Sequence, residues 1–160
     1  MDGEKHPVKA SVKVVKKNNL IKNGDFESEK TLDGWTIDGD KVLDVVTKGG
    51  DALGTSAMHY WSDKAFQFKV SQTFTGLKDG KYTLAVSTQG GGGQSKYQLF
   101  ATTGGATQTA DIQDTKWNEW YTFTIQDIEV KDGTCTVGVT MEAAPGTWGS
   151  LDNFEFYRQE

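Results

Sequence analysis

The sequence predicts an all-β protein built as two antiparallel sheets packed face to face, a β-sandwich. Three observations carry that expectation. Apolar and polar residues alternate with a period of two along most of the chain, and turn residues punctuate the runs. Nineteen glycines and two prolines, set among many threonines and aromatics, suit strands joined by turns. No stretch repeats its apolar side chains convincingly at helical spacing. At 160 residues the chain is long enough for one domain with a substantial core.

In chain order, residues 1–18 are rich in lysine and poor in large apolar side chains. They read as a linker or flexible N-terminal tail, with Val12, Val14 and Val15 as candidates for pairing at a sheet edge. The β-sandwich domain spans 19–160. It opens on Asn19-Leu20-Ile21-Lys22, read as a short apolar strand, followed by Asn23-Gly24 as a turn. Phe26 is then a core residue between two acids, with Trp35 beside it in the interior, and Glu27 points away from Phe26. Strand-like runs follow at 41–47, 57–61 and 66–74. Tyr82, Leu84 and Val86 alternate inward, and four glycines end that strand after Gln89. Tyr97, Leu99 and Ala101 form the next inward set, then Tyr121, Phe123 and Ile125, with an irregularity at Asp127 before Ile128 and Val130. Cys135, Val137, Val139 and Met141 point one way, and an aromatic strand closes the chain at 148–157. That makes nine or ten strands.

A net charge of −5 argues against a nucleic-acid surface, because phosphate binding needs clustered lysine and arginine. No run of about 18 apolar residues exists to cross a membrane as a helix. The polar opening is no signal peptide, and a secreted parent protein carrying its own leader is the expected context. Cys135 is the single cysteine and forms no internal disulfide. Catalysis has little support. No Gly-x-Ser-x-Gly elbow occurs, two histidines cannot build a three-histidine site, and the acids fall mostly in turns. The glycine run is not a phosphate loop, since neither Gly-Lys-Ser/Thr nor a helix follows it.

Two patterns carry chemistry. The opening and closing stretches each set acids beside buried aromatics, which suggests that the two lie together and clamp a metal ion. The second pattern is that of a sugar surface, where flat aromatic faces cover pyranose C–H bonds and amides or acids pair with hydroxyls. Trp61 ends a strand at polar Ser62-Asp63-Lys64, and Trp148 follows the loop Pro145-Gly146-Thr147. Both positions let a ring stand clear, with ordinary burial as the alternative. Gln89 and Gln94 flank the glycines, and Glu142 shares an outward face with Thr140 close in sequence to Trp148. Glu142 could accept from sugar hydroxyls or simply be a solvated acid. Alternation turns Trp120 outward, and Trp117 could fold back as a lid.

The Asn23-Gly24-Asp25-Phe26-Glu27 opening with Gly34-Trp35, and the closing Trp148-Gly149-x-Leu151-Asp152-Asn153-Phe154, resemble jelly-roll carbohydrate-binding modules of the family 4, 9, 16 and 22 type. More narrowly, several stretches are similar to family-61 modules: His59-Tyr60-Trp61-Ser62, Phe66-Gln67-Phe68, Gln72-Thr73-Phe74, Lys81-Tyr82-Thr83-Leu84 and Gln89-Gly90-Gly91-Gly92-Gly93. The resemblance covers roughly residues 19–157. It implies a jelly roll that binds β-1,4-galactan without catalysis, a structural calcium ion, and a family-53 endo-β-1,4-galactanase in the same parent chain. It points to Glu27 and Asp152 as the calcium ligands; Asp25 is a weaker third candidate, and the Lys48-Gly49-Gly50 turn could offer carbonyls because glycine lets the backbone approach closely. The other reading of that acid pair is solvated loop carboxylates. His59 and Tyr60 join the expected galactooligosaccharide site through the narrow motif, although spacing does not fix which way either points. A cell-surface or adhesion-type protein-interaction domain on the same sandwich is the competing class.

Overall fold

Eleven strands and no helix are found among the described residues (8–10, 18–27, 31–47 and 51–159) of the computed structural model. The strands are β1 (Val8–Lys9), β2 (Thr36–Gly39), β3 (Leu43–Val46), β4 (Ala57–Trp61), β5 (Phe66–Phe74) and β6 (Gly80–Gly91), followed by β7 (Gln94–Thr103), β8 (Ala106–Asp111), β9 (Lys116–Val130), β10 (Cys135–Ala143) and β11 (Trp148–Arg158). Six of them form one sheet in the order β1-β9-β6-β11-β4-β3, and five form the other in the order β2-β5-β10-β7-β8. Every pairing is antiparallel, as the alternating sequence predicts.

The inward rows meet as one core. Met58, Tyr60, Leu84, Val86, Phe123, Ile125, Ile128, Leu151 and Phe156 come from the first sheet. Phe66, Phe68, Val70, Tyr97, Leu99, Val137, Val139 and Met141 face them from the second. Asp127 takes a left-handed backbone (φ 60°) where the β6–β9 register slips, which is the irregularity expected there. Three strands, β1, β2 and β8, were not legible, the first two being only two and four residues long. β8 reads Ala-Thr-Gln-Thr-Ala-Asp and is almost wholly exposed at the sheet edge, so no apolar row announces it.

The opening segment lies against β11, but not as a strand. Asn23 (φ 53°) and Phe26 (φ 58°) both adopt left-handed backbone, which breaks an extended run. Side-chain and backbone hydrogen bonds replace a ladder. Asn19 Nδ2 donates to the Phe154 carbonyl (3.0 Å), and Asn19 Oδ1 accepts from the Phe156 amide (2.9 Å). The Leu20 amide donates to the Phe156 carbonyl (2.7 Å), and the Phe154 amide donates to the Gly24 carbonyl (2.9 Å). A left-handed phenylalanine costs about 1–3 kcal/mol. The Phe26 ring is fully buried between Trp35 (6.2 Å) and Phe154 (6.4 Å), and burial of such a side chain contributes about 3 kcal/mol, enough to offset the strain. Trp35 is buried as expected, and its indole N–H donates to the Asn23 carbonyl (3.0 Å).

In the 1–18 stretch, Val8 and Lys9 pair with Thr122 and Tyr121 at the edge of the first sheet. Val12, Val14 and Val15 lie outside the described residues.

β5 and β10 pair along their whole length, and Gly138 sits opposite Ser71. A side chain there would collide with the Val70 carbonyl oxygen and reach within 2.9 Å of the Ser71 Cα, both rigid backbone. Gly138→Ala should therefore lower stability by about 3 kcal/mol in denaturant unfolding. A change smaller than about 0.5 kcal/mol would mean that the two strands separate readily.

Candidate functional site

The outer face of the six-stranded sheet gathers most of the aromatic surface. Inward Met58 and Tyr60 on β4 leave Ala57, His59 and Trp61 on the outside. Inward Leu151 on β11 leaves Trp148, Ser150 and Asp152 outside. The register then sets rows across the strands. Trp61, Trp148 and Gly91 are direct neighbours, and the next row is His59, Ser150 and Gln89. Trp61 is 52% exposed and Trp148 half-buried, so both rings reach solvent side by side.

Glycines explain why the rings stand there. A Cβ on Gly91 would lie 3.1 Å from Cζ2 of Trp148, so the indole occupies the space its side chain would need. On the inner side the Tyr60 hydroxyl packs beneath Gly90 and Gly149, and a Cβ on Gly149 would collide with it. Tyr60 is thus a core residue, fully buried, with its hydroxyl donating to that of Tyr97 (3.3 Å). Burial pushes both phenols well above the ordinary tyrosine range and keeps them neutral. This corrects the expectation that Tyr60 meets a ligand. The inward direction follows from its place one residue before the outward Trp61.

Gln89 faces outward yet is 1% exposed, because protein groups use both ends of its amide. Nε2 donates to Ser150 Oγ (3.0 Å), and Oε1 accepts from the Asn118 amide (2.9 Å). Ser150 Oγ donates in turn to the Asp51 carbonyl (2.6 Å), and Asp51 Oδ1 accepts from the Trp117 indole N–H (2.9 Å). The circuit holds the outer surface together and leaves Gln89 no free hydrogen-bonding edge for a sugar. Ser150, Asn118 and Asp51 were not singled out by sequence. Ser150 alone carried a signal, alternation with Trp148 on the same face.

The remaining candidates divide. His59 is partly exposed beside Trp61, and its Nδ1 lies 3.2 Å from Asp44 Oδ1. Nδ1 carries the proton if it donates to that carboxylate, which leaves Nε2 as an acceptor. Gln94 opens β7 in the other sheet, where its amide approaches Tyr60 and Asp114. Glu142 is exposed on the outer face of the second sheet, opposite Lys96 and Gln67. The sandwich therefore separates Glu142 from the tryptophan pair, although only five residues divide it from Trp148, because the chain crosses between sheets there. Trp120 faces outward as expected but is buried under Ala52 and Leu53, which fold over it and Ala57.

The acids of the opening and closing stretches meet at one loop, 51–56. Glu27 accepts from the Thr55 and Ser56 amides (both 3.0 Å) and from the Thr55 hydroxyl. Buried Asp152 accepts from the Leu53 amide (3.1 Å) and from the amide of Asn153 (2.7 Å). Asp25 accepts from the Glu27 amide (3.2 Å). This hard-oxygen donor set suits a calcium ion in kind. The described residues hold no group of three or more acid, histidine or cysteine side chains close enough to bind one, so backbone carbonyls would have to complete the shell. Lys48-Gly49-Gly50, their expected source, lies outside the described residues.

Two tryptophans side by side on one outer face of a sandwich offer the flat apolar surface on which a sugar ring can stack, the arrangement of a carbohydrate-binding module. TmCBM61, solved in complex with β-1,4-galactotriose, matches with a TM-score of 0.81 and 32% sequence identity, covering 90% of this chain and 100% of that one. The chain belongs to carbohydrate-binding module family 61. It is a binding module and not an enzyme. A family 16 module (TM-score 0.61, 18% identity, 88% of this chain and 100% of that one) shares the fold. So does the CBM22-1 xylan-binding domain of Paenibacillus barcinonensis Xyn10C (TM-score 0.58, 17% identity, 93% and 97%). No sequence-family model and no curated protein matches the chain.

Glu27→Ala removes the acceptor shared by Thr55 and Ser56. We expect faster amide hydrogen exchange at both residues and a stability loss of about 1–3 kcal/mol. Unchanged exchange at these amides would show that the loop is held by other contacts.

Proposed function

We propose that the protein binds β-1,4-linked galactan, such as the galactose-containing side chains of pectin. Trp61 and Trp148 stack on the sugars, and the outer-face His59 accepts from a hydroxyl. The observation that carries this reading is the side-by-side register of two solvent-reaching tryptophans on the face where Gly91 leaves room for the Trp148 ring. Kinship with TmCBM61, which was seen with β-1,4-galactotriose, supports galactose as the sugar. The biological role we propose is to hold a galactanase catalytic domain of the same secreted parent chain on its substrate, raising the local enzyme concentration. We further propose a structural calcium ion held by Glu27 and Asp152, with Asp25 beside them. Such an ion would tie the opening segment, loop 51–56 and β11 together without taking part in sugar chemistry.

Affinity electrophoresis through galactan-containing gels tests the sugar site. Trp61→Ala and Trp148→Ala should each weaken retardation by an amount equivalent to roughly 1–3 kcal/mol. Retardation equal to that of the parent protein in both folded variants would rule the surface out. For the ion, scanning calorimetry should show the melting temperature about 5–10 °C higher at calcium a hundredfold above Kd than in excess EDTA. Coincident transitions would exclude a stabilising ion.

A further inference from the structure

The outer face of the six-stranded sheet continues past β6 onto β9. Gly90 pairs with Lys116, and the register between β6 and β9 slips there, so the extra residues of β9 bulge onto the outer face. Trp117 stands in this bulge and is 57% exposed, whereas Trp120 of the same strand is 3% exposed. Trp117 belongs to neither apolar cluster.

We propose that Trp117 is a third sugar-stacking residue, which extends the binding face across β6 so that the site recognises an oligosaccharide chain. This inference rests on the galactan reading above and adds a subsite to it. Three features argue that the ring is held outward on purpose. Its one polar atom is used by Asp51, which fixes the indole while leaving more than half of the residue open to solvent. The flanking backbone is strained, with Lys116 at φ 115° and Asn118 at φ 59°. Such conformations persist only where the surroundings impose them, and they cluster at ligand-binding sites. Finally, buried Gln89 clamps the bulge through the Asn118 amide, and through Ser150 it also clamps Asp51, the acceptor for the ring.

The spacing fits a chain. Trp117 lies two strands from Trp148, on the order of 10 Å. Gln89, Ser150 and Asp51 are positioning residues for Trp117, because they reach the ligand only through the ring they hold.

The test is calorimetric titration of the whole chain with β-1,4-galactooligosaccharides, from the disaccharide to the hexasaccharide, for the parent protein, Trp117→Ala and Trp117→Phe. Trp117→Ala should lose affinity in proportion to ligand length, slightly for the disaccharide and roughly tenfold for the hexasaccharide. Trp117→Phe keeps a stacking ring and should recover most of that loss. An equal loss at every length, or no loss at any length, would overturn the third subsite while leaving the galactan reading intact. If the parent protein itself bound no member of the series, both the galactan reading and this inference would fall.

Discussion

The close approach of β6 and β11 over the Tyr60 hydroxyl sets the character of the outer face. Two strands normally carry side chains on both surfaces, but here a side chain at Gly149 would meet the phenol, and one at Gly90 would meet the Trp148 carbonyl and the Gly149 Cα. The outer surface is then divided in the opposite sense, with Trp148 lying over Gly91 and Trp61 standing next to it on β4. The buried tyrosine thus explains Gly149, the β11 backbone explains Gly90, and a third glycine explains the pose of a tryptophan. Tyr60 contributes to a ligand site only through this packing.

The same sheet depends on a second constraint at its other end. The opening segment is bound to β11 through Asn19 and carries Glu27 to loop 51–56, where Asp152 of β11 also arrives. Loop 51–56 covers Trp120 and presents Asp51 to Trp117. Acids at the two ends of the chain therefore influence a surface neither of them touches. The energetic logic is that of satisfied buried acceptors. A carboxylate that takes several backbone amides is expensive to remove, so the loop it holds stays in one place.

Much of this was legible in the sequence, and the failures have physical causes. Alternation gave the bounds of β4 and β5 and the inward rows of β6, β7, β9 and β10, because one face of each is apolar and the other polar. The meeting of first and last stretches was legible from their paired acids and aromatics. The direction of Tyr60 was not, since His, Tyr and Trp in succession suit either face equally. Glu142 misled because closeness in sequence hides a crossing between sheets. Gln89 looked like a free amide beside glycines, and only three-dimensional neighbours from β9 and β11 reveal that it is spent. The left-handed Phe26 could not be foreseen either, since the burial that offsets its strain comes from Phe154, far along the chain.

We propose that this face selects β-1,4-linked galactose. The measurement that tests it most directly is calorimetric competition among soluble β-1,4-galactan, xylan and cellulose-derived oligosaccharides at equal sugar concentration. Saturable heat is expected with the galactose polymer and none above dilution with the other two. Equal binding to all three, or binding to the glucose or xylose chains alone, would contradict it.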